Sequence, residues 1–94
     1  MDLGAFKSSL TGDAPPEGTN RALQALWQEA KGDWAKAHRL AQAQKDDPGA
    51  WVHAYLHRVE GDESNAGYWC RRAGKLQSSA PLNEEWEAIV SALL

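Results

Sequence analysis

Apolar residues recur along most of this chain every three or four positions, which is the spacing of amphipathic helices. The pattern predicts a short N-terminal helix over 2–10. Five main helices follow it, at about 20–31, 34–45, 48–60, 63–73 and 83–94. No segment alternates apolar and polar residues with the two-residue period of a strand. We therefore predict an all-α fold.

Two copies of a Gly-Asp pair, Gly32-Asp33 and Gly61-Asp62, separate these helices and lie 29 residues apart. In each pair, the glycine is expected to close one helix in a left-handed cap. The aspartate is expected to open the next helix by accepting hydrogen bonds from its free amides. Connections this short make neighbouring helices antiparallel, so the sequence predicts two stacked helical hairpins.

Caps and linkers complete the predicted organisation. Asp47 is the predicted N-cap of the third main helix, with Pro48 in its first turn. Gly74 is predicted to close the fourth main helix, with Leu76 folding back onto its last turn. We predict a single domain over 1–94. Its parts are an N-terminal helix with a Pro/Gly linker (1–19), a first hairpin (20–46), a second hairpin (47–75) and a C-terminal capping helix (82–94).

Small and aromatic residues recur around the two Gly-Asp pairs. They are Gly32, Asp33, Trp34, Ala37 and Pro48 in the first unit, and Trp51, Ala54, Gly61, Asp62, Ala66 and Ala73 in the second. On these residues, 20–75 resembles a tetratricopeptide-type helical repeat, which implies stacked helix pairs that bind peptides or partner proteins. Residues 50–74 also resemble a segment of small uncharacterised bacterial proteins. The preferred hypothesis is a non-enzymatic protein- or peptide-interaction module.

Charge and composition narrow the function classes. The net charge is −3 without a basic tail, which disfavours nucleic-acid binding because phosphate contacts need several Lys or Arg side chains. No apolar run has the length of a membrane span, and the N-terminus lacks a signal-peptide pattern, so we expect a cytoplasmic protein. The single cysteine, Cys70, cannot form an internal disulfide and shares the apolar stripe of its helix.

One pair of histidines has a spacing that suits a metal ion. His53 and His57 are four residues apart, which puts both imidazoles on one face of a helix, away from Tyr55, where we expect them to be accessible. A third ligand is missing locally, so His38 or Glu60 would have to complete the site through a tertiary contact. The alternative hypothesis is thus a small metal- or His-dependent catalyst; otherwise these imidazoles only pack between helices or face water. With no complete catalytic motif, we expect no enzyme and no cofactor.

A basic and aromatic surface is the candidate partner-binding site. Tyr68 precedes Arg72 by four residues, which predicts a cation–π contact, and the patch suits a carboxylate, a phosphate or an acidic partner segment. The alternative is an ordinary solvated face. Trp27 and Trp86 are either core residues or interface residues, and the broad apolar face of the third main helix suggests a homodimer. The candidate partner-binding residues are Trp51, Tyr55, Arg58, Tyr68, Arg71 and Arg72.

Overall fold

A computed structural model describes residues 1–94 as six α-helices without a strand, which confirms the all-α prediction. A single 3₁₀ turn over Ser9–Thr11 follows the first helix. The helices are α1 (Leu3–Ser8), α2 (Arg21–Ala30), α3 (Trp34–Ala43), α4 (Asp47–Val59), α5 (Glu63–Ala73) and α6 (Leu82–Leu93).

Side-chain caps begin five of the six helices. The capping carboxylates and amide accept from a backbone N–H three residues later, at 2.8–3.1 Å, and belong to Asp2, Asn20, Asp33, Asp46 and Asp62. The prediction that Asp47 caps α4 is wrong by one residue. Asp46 has the extended backbone of an N-cap and its carboxylate binds the amide of Gly49 at 3.0 Å. Asp47 is therefore the first helical residue, and its acidic side chain lies in the first turn of α4.

Glycines with positive φ end α2, α4 and α5, as predicted. At Gly61 φ is 86°, its amide donates to Arg58 at 3.0 Å, and the next amide donates to His57 at 2.8 Å, which is a Schellman cap. The prediction that Leu76 folds back onto α5 is wrong, because this side chain is 96% exposed. The side chain of Gln77 binds the carbonyl of Glu63 at 3.2 Å, which ties the chain back along α5 and leaves Leu76 outside.

Helix α4 lies at the centre of the molecule and contacts α2, α3, α5 and α6. The core that it shares with its neighbours includes Leu26, Trp27, Val52, Leu56 and Ile89. Two tryptophans that were candidates for an interface are core residues. The indole N–H of Trp27 donates to Ser9 Oγ at 3.1 Å, and that of Trp86 donates to the carbonyl of Leu26 at 3.0 Å. Each large ring is buried with its polar atom satisfied.

The turn between α3 and α4 is tight and fixes how these two helices meet. Only residues 44–46 connect them, and a Cβ added at Gly49 would lie 1.9 Å from the carbonyl oxygen of Gln44. The side-chain oxygen of Gln44 also accepts from the amide of Ala22 at 2.8 Å, which anchors the turn to the start of α2. This turn brings the inner face of α3 against α4.

Candidate metal centre

All three histidines of the chain meet between α3 and α4. We call His38, His53 and His57 the histidine cluster. Nε2 of His38 lies 3.0 Å from Nε2 of His53, and one ring nitrogen from each of the three residues falls within 4.8 Å of the others. Imidazole nitrogens in such an arrangement are a common ligand set for transition-metal ions.

The sequence predicts one part of the cluster, whereas the other part depends on a tertiary contact. His53 and His57 lie one helical turn apart on α4, and their rings stack with centroids 4.8 Å apart at 24°. His38 comes from α3 and meets His53 edge-on, with centroids 4.6 Å apart at 88°. The turn at 44–46 produces this contact, and it supplies the third imidazole that the sequence pattern alone left open.

The expectation that His53 and His57 are accessible is wrong, since the two residues are 3% and 9% exposed. Two tryptophans cover the cluster. Trp69 of α5 stacks on His53 with centroids 3.9 Å apart at 17°, and Trp34 stacks on His38 at 4.8 Å and 14°. A helical wheel of α4 correctly places the two histidines on one face of the helix. That face is not accessible, because α3 and α5 pack over it.

Burial keeps two of the rings neutral. The pKa of His53 is lowered to about 4, mainly by desolvation, and the neighbouring His38, His57 and Lys45 contribute in the same direction. Burial also lowers the pKa of His38, with His57 adding to the effect and Glu60 opposing it. A neutral imidazole has a free lone pair, so at neutral pH these rings are in the form that binds a metal ion.

The carboxylate of Glu60 orients the ring of His57. Nδ1 of His57 lies 2.7 Å from Oε1 of Glu60, the residue that follows the end of α4. When Glu60 accepts from Nδ1–H, the neutral ring keeps its lone pair on Nε2. Asp62 lies near the same two residues but caps α5, and its hydrogen bonds with Asn65 lower its pKa. Glu60 thus has the geometry of an outer partner that fixes a histidine ligand.

A cleft of about 480 Å³ lies beside the cluster, and His53 forms part of its wall. Trp69 and Arg72 of α5 share that wall, and Lys45 lies in the turn between α3 and α4. The guanidinium of Arg72 sits over the Trp69 ring, 5.3 Å from its centroid. The other lining residues are Ala41, Gln42, Gln44, Asp46, Asp47 and Ala50.

Two of the candidate partner-binding residues are not free at the surface, since Tyr55 is buried and Arg58 is half-buried, so the expectation that they are exposed is wrong. Tyr55 is 3% exposed, and burial raises its pKa. Arg58 donates to Glu85 of α6 at 2.8 Å and also to the carbonyl of Ala80. Helix α6 and the segment before it cover this face of α4.

The other partner-binding candidates remain at the surface. Tyr68, Arg71 and Arg72 are exposed on α5, and Trp51 is half-buried beneath the ammonium of Lys75, 4.3 Å from its ring centroid. The predicted cation–π contact between Tyr68 and Arg72 is replaced by a hydrogen bond of 3.3 Å to the Tyr68 hydroxyl. The guanidinium rests on Trp69 instead.

The lone cysteine does not join the cluster. Cys70 is buried, and desolvation raises its pKa, so the thiolate that would bind a metal or attack a substrate is disfavoured. This agrees with the expectation that it behaves as a small apolar side chain.

Comparisons of the chain with protein families, curated proteins and solved structures give no match. Its function is therefore argued from the geometry of its own residues. None of its helices combines the length and the apolar character required to cross a bilayer.

Proposed function

We propose that this chain is a small helical metal-binding protein in which the histidine cluster holds one divalent transition-metal ion. The observation that carries the proposal is the convergence of three imidazole nitrogens, one from each histidine, within 4.8 Å. Zinc is the ion that fits best, because it favours imidazole nitrogen and accepts four-coordinate sites. Tetrahedral zinc holds its nitrogen ligands about 3.3 Å apart, and the 3.0 Å separation of His38 and His53 is already close to that value.

The surroundings of the cluster support the same proposal. Glu60 holds His57 in the way that outer carboxylates hold zinc ligands. The lowered pKa values of His38 and His53 mean that an ion at neutral pH competes with few protons. The bond between these two rings contains one shared N–H, so metal binding requires the donating ring to move its proton to Nδ1.

Zinc titration of the chelator-treated protein by calorimetry tests the proposal. We expect saturation at one ion per chain. Each of His38→Gln, His53→Gln and His57→Gln is expected to weaken binding by more than about 100-fold, and Glu60→Gln by about 10- to 100-fold. Glu84→Gln is the matched control for the carboxylate, since Glu84 is exposed on α6 and belongs neither to the candidate metal ligands nor to the lining of the neighbouring cleft. Circular dichroism of each apo variant separates lost binding from lost folding.

Two results would contradict the proposal. One is the absence of any saturable zinc binding by a fully helical wild-type protein. The other is zinc binding that persists at one ion per chain in the variant lacking all three imidazoles. Either result would leave the cluster as three rings that only pack between Trp34 and Trp69.

A second candidate function is self-association through an apolar groove beside Leu76. Leu76 is almost fully exposed, and the groove next to it is lined by apolar groups that include Trp51, Ala88 and Ile89. A two-fold interface would place the exposed Leu76 of each copy against the groove of the other. The tetratricopeptide-like interpretation, with a peptide as partner, stays a prediction.

Sedimentation velocity over a range of protein concentrations tests the second candidate. We expect a concentration-dependent dimer that Leu76→Glu abolishes, and that Leu94→Glu, a change at a partly exposed leucine at the C-terminus, leaves intact. A monomer at every concentration would contradict it.

A further inference from the structure

The histidine cluster supplies three ligands where tetrahedral zinc takes four. No cysteine thiol or carboxylate joins the three imidazole nitrogens in their 4.8 Å group. Glu60 is engaged at Nδ1 of His57 instead. A zinc ion with three protein ligands takes its fourth ligand from water or from an added molecule. The nature of that fourth ligand is therefore set by what lies next to the cluster.

The cleft beside the cluster gives access from one side. His53 belongs both to the cluster and to the wall of the cleft, so one side chain links the two. A volume of about 480 Å³ is within the range of small-molecule sites. Trp34 stacks on His38, which is half-buried, and Trp69 stacks on His53.

The charges of the cleft indicate the class of ligand. Arg72 and Lys45 carry positive charge on its wall, while Asp46 and Asp47 carry negative charge, so the lining is balanced before an ion binds. The carboxylate of Asp46 is already engaged, by the amide of Gly49 and by the side-chain amide of the neighbouring glutamine, both at 3.0 Å. A divalent ion would then leave the cleft with an excess of positive charge.

Arg72 is held on the same wall as the metal ligand. Its guanidinium lies over Trp69, and Trp69 stacks directly on His53. One of its N–H groups donates to the Tyr68 hydroxyl, and the guanidinium has further donors for a ligand. A planar guanidinium fork binds carboxylates well.

We infer that the ion in the histidine cluster binds a carboxylate as its fourth ligand, that this carboxylate enters through the cleft, and that Arg72 and Lys45 pair with it. The inference rests on the proposed metal site. A carboxylate has two oxygens, so one can bind the ion while the other pairs with the guanidinium of Arg72. Arg72 and Lys45 are binding residues in this arrangement, and the three histidines are the metal ligands.

Visible spectroscopy of the cobalt(II)-loaded protein tests the inference, because cobalt reports changes in its own ligands. Sodium acetate is the probe, and sodium perchlorate at the same ionic strength is the control for screening. We expect acetate to change the cobalt spectrum in a saturable manner. Arg72→Gln is expected to weaken acetate binding about fivefold, the upper end for a solvent-accessible ion pair. Arg71→Gln, at the neighbouring exposed arginine outside the cleft, is expected to leave it unchanged.

The outcomes distinguish the two proposals. If the wild-type protein binds no cobalt and no zinc, the metal site itself is refuted. If cobalt binds but acetate leaves its spectrum unchanged, the carboxylate ligand is refuted and the metal site stands. Equal acetate affinities in Arg72→Gln and Arg71→Gln would refute entry through this cleft. Tighter binding of phosphate than of acetate would refute the ligand class.

Discussion

The buried His53 makes the metal-free protein sensitive to mild acid. In the unfolded chain its imidazole titrates at the usual value of 6.5, whereas in the folded chain desolvation lowers the pKa to about 4. The unfolded state therefore takes up a proton first as the pH falls. The contribution of His53 to the free energy of unfolding is complete above pH 6.5 and is lost as the pH falls from there toward 4.

The two pKa values determine the size of the effect. For one group that titrates at 6.5 when unfolded and at about 4 when folded, linkage gives a loss of about 2 kcal/mol in the free energy of unfolding between pH 7 and pH 5. The lowered pKa of His38 also decreases the free energy of unfolding as the pH falls. Glu29 acts with the opposite sign, because burial raises the pKa of its carboxyl.

Urea unfolding at pH 7, 6 and 5, in the presence of a chelator, measures this loss. Comparison with His53→Gln separates the contribution of His53 from that of Glu29. Glu29 titrates in both proteins, so its contribution cancels from the difference between their free energies of unfolding. We expect the free-energy gap between wild type and variant to shrink by about 2 kcal/mol from pH 7 to pH 5. A gap that stays constant over this range would refute the assignment of His53 as a buried neutral ring.

Three further predictions concern stability and are checked by urea unfolding. Arg58→Met should cost about 3–5 kcal/mol, because it leaves the buried carboxylate of Glu85 without its partner, and replacing both residues by Met should recover most of the loss. Gly49→Ala should cost at least about 2 kcal/mol, since its Cβ would meet the backbone oxygen of Gln44, and a cost below 1 kcal/mol would contradict the tight turn. Gly61→Val should cost more than about 1 kcal/mol, because φ is 86° there, and a neutral result would show that this cap is not required.

The helices and their ends could be predicted from the sequence because the signals are local. A Gly-Asp pair specifies a positive φ and then a capping carboxylate within two residues, and Gly61-Asp62 behaves in this way. The one wrong cap shows the limit of such signals. Asp46 and Asp47 are adjacent and chemically identical, and only the backbone conformation at Asp46 decides which of them caps the helix.

The candidate site depended on contacts that the sequence does not specify. The spacing of His53 and His57 predicts a shared face, but a helical wheel does not say which neighbouring helix covers that face. His38 lies 15 residues before His53 and meets it only because α3 packs on α4. A local signal was present in Trp34 and His38, which are one turn apart and stack, as ring pairs at this spacing do when both face inward.

The metal binding that we propose and the acid sensitivity that we expect would have one physical origin in this cluster. Burial beneath Trp69 disfavours the imidazolium form of His53, which costs stability in acid. The same burial keeps that ring neutral at neutral pH, so an ion need not displace a proton from an imidazolium there. A surface histidine pair would avoid the acid cost but would also bind protons more readily. Core packing alone does not require imidazoles at these positions, since apolar side chains of similar volume would serve without loss of stability in acid.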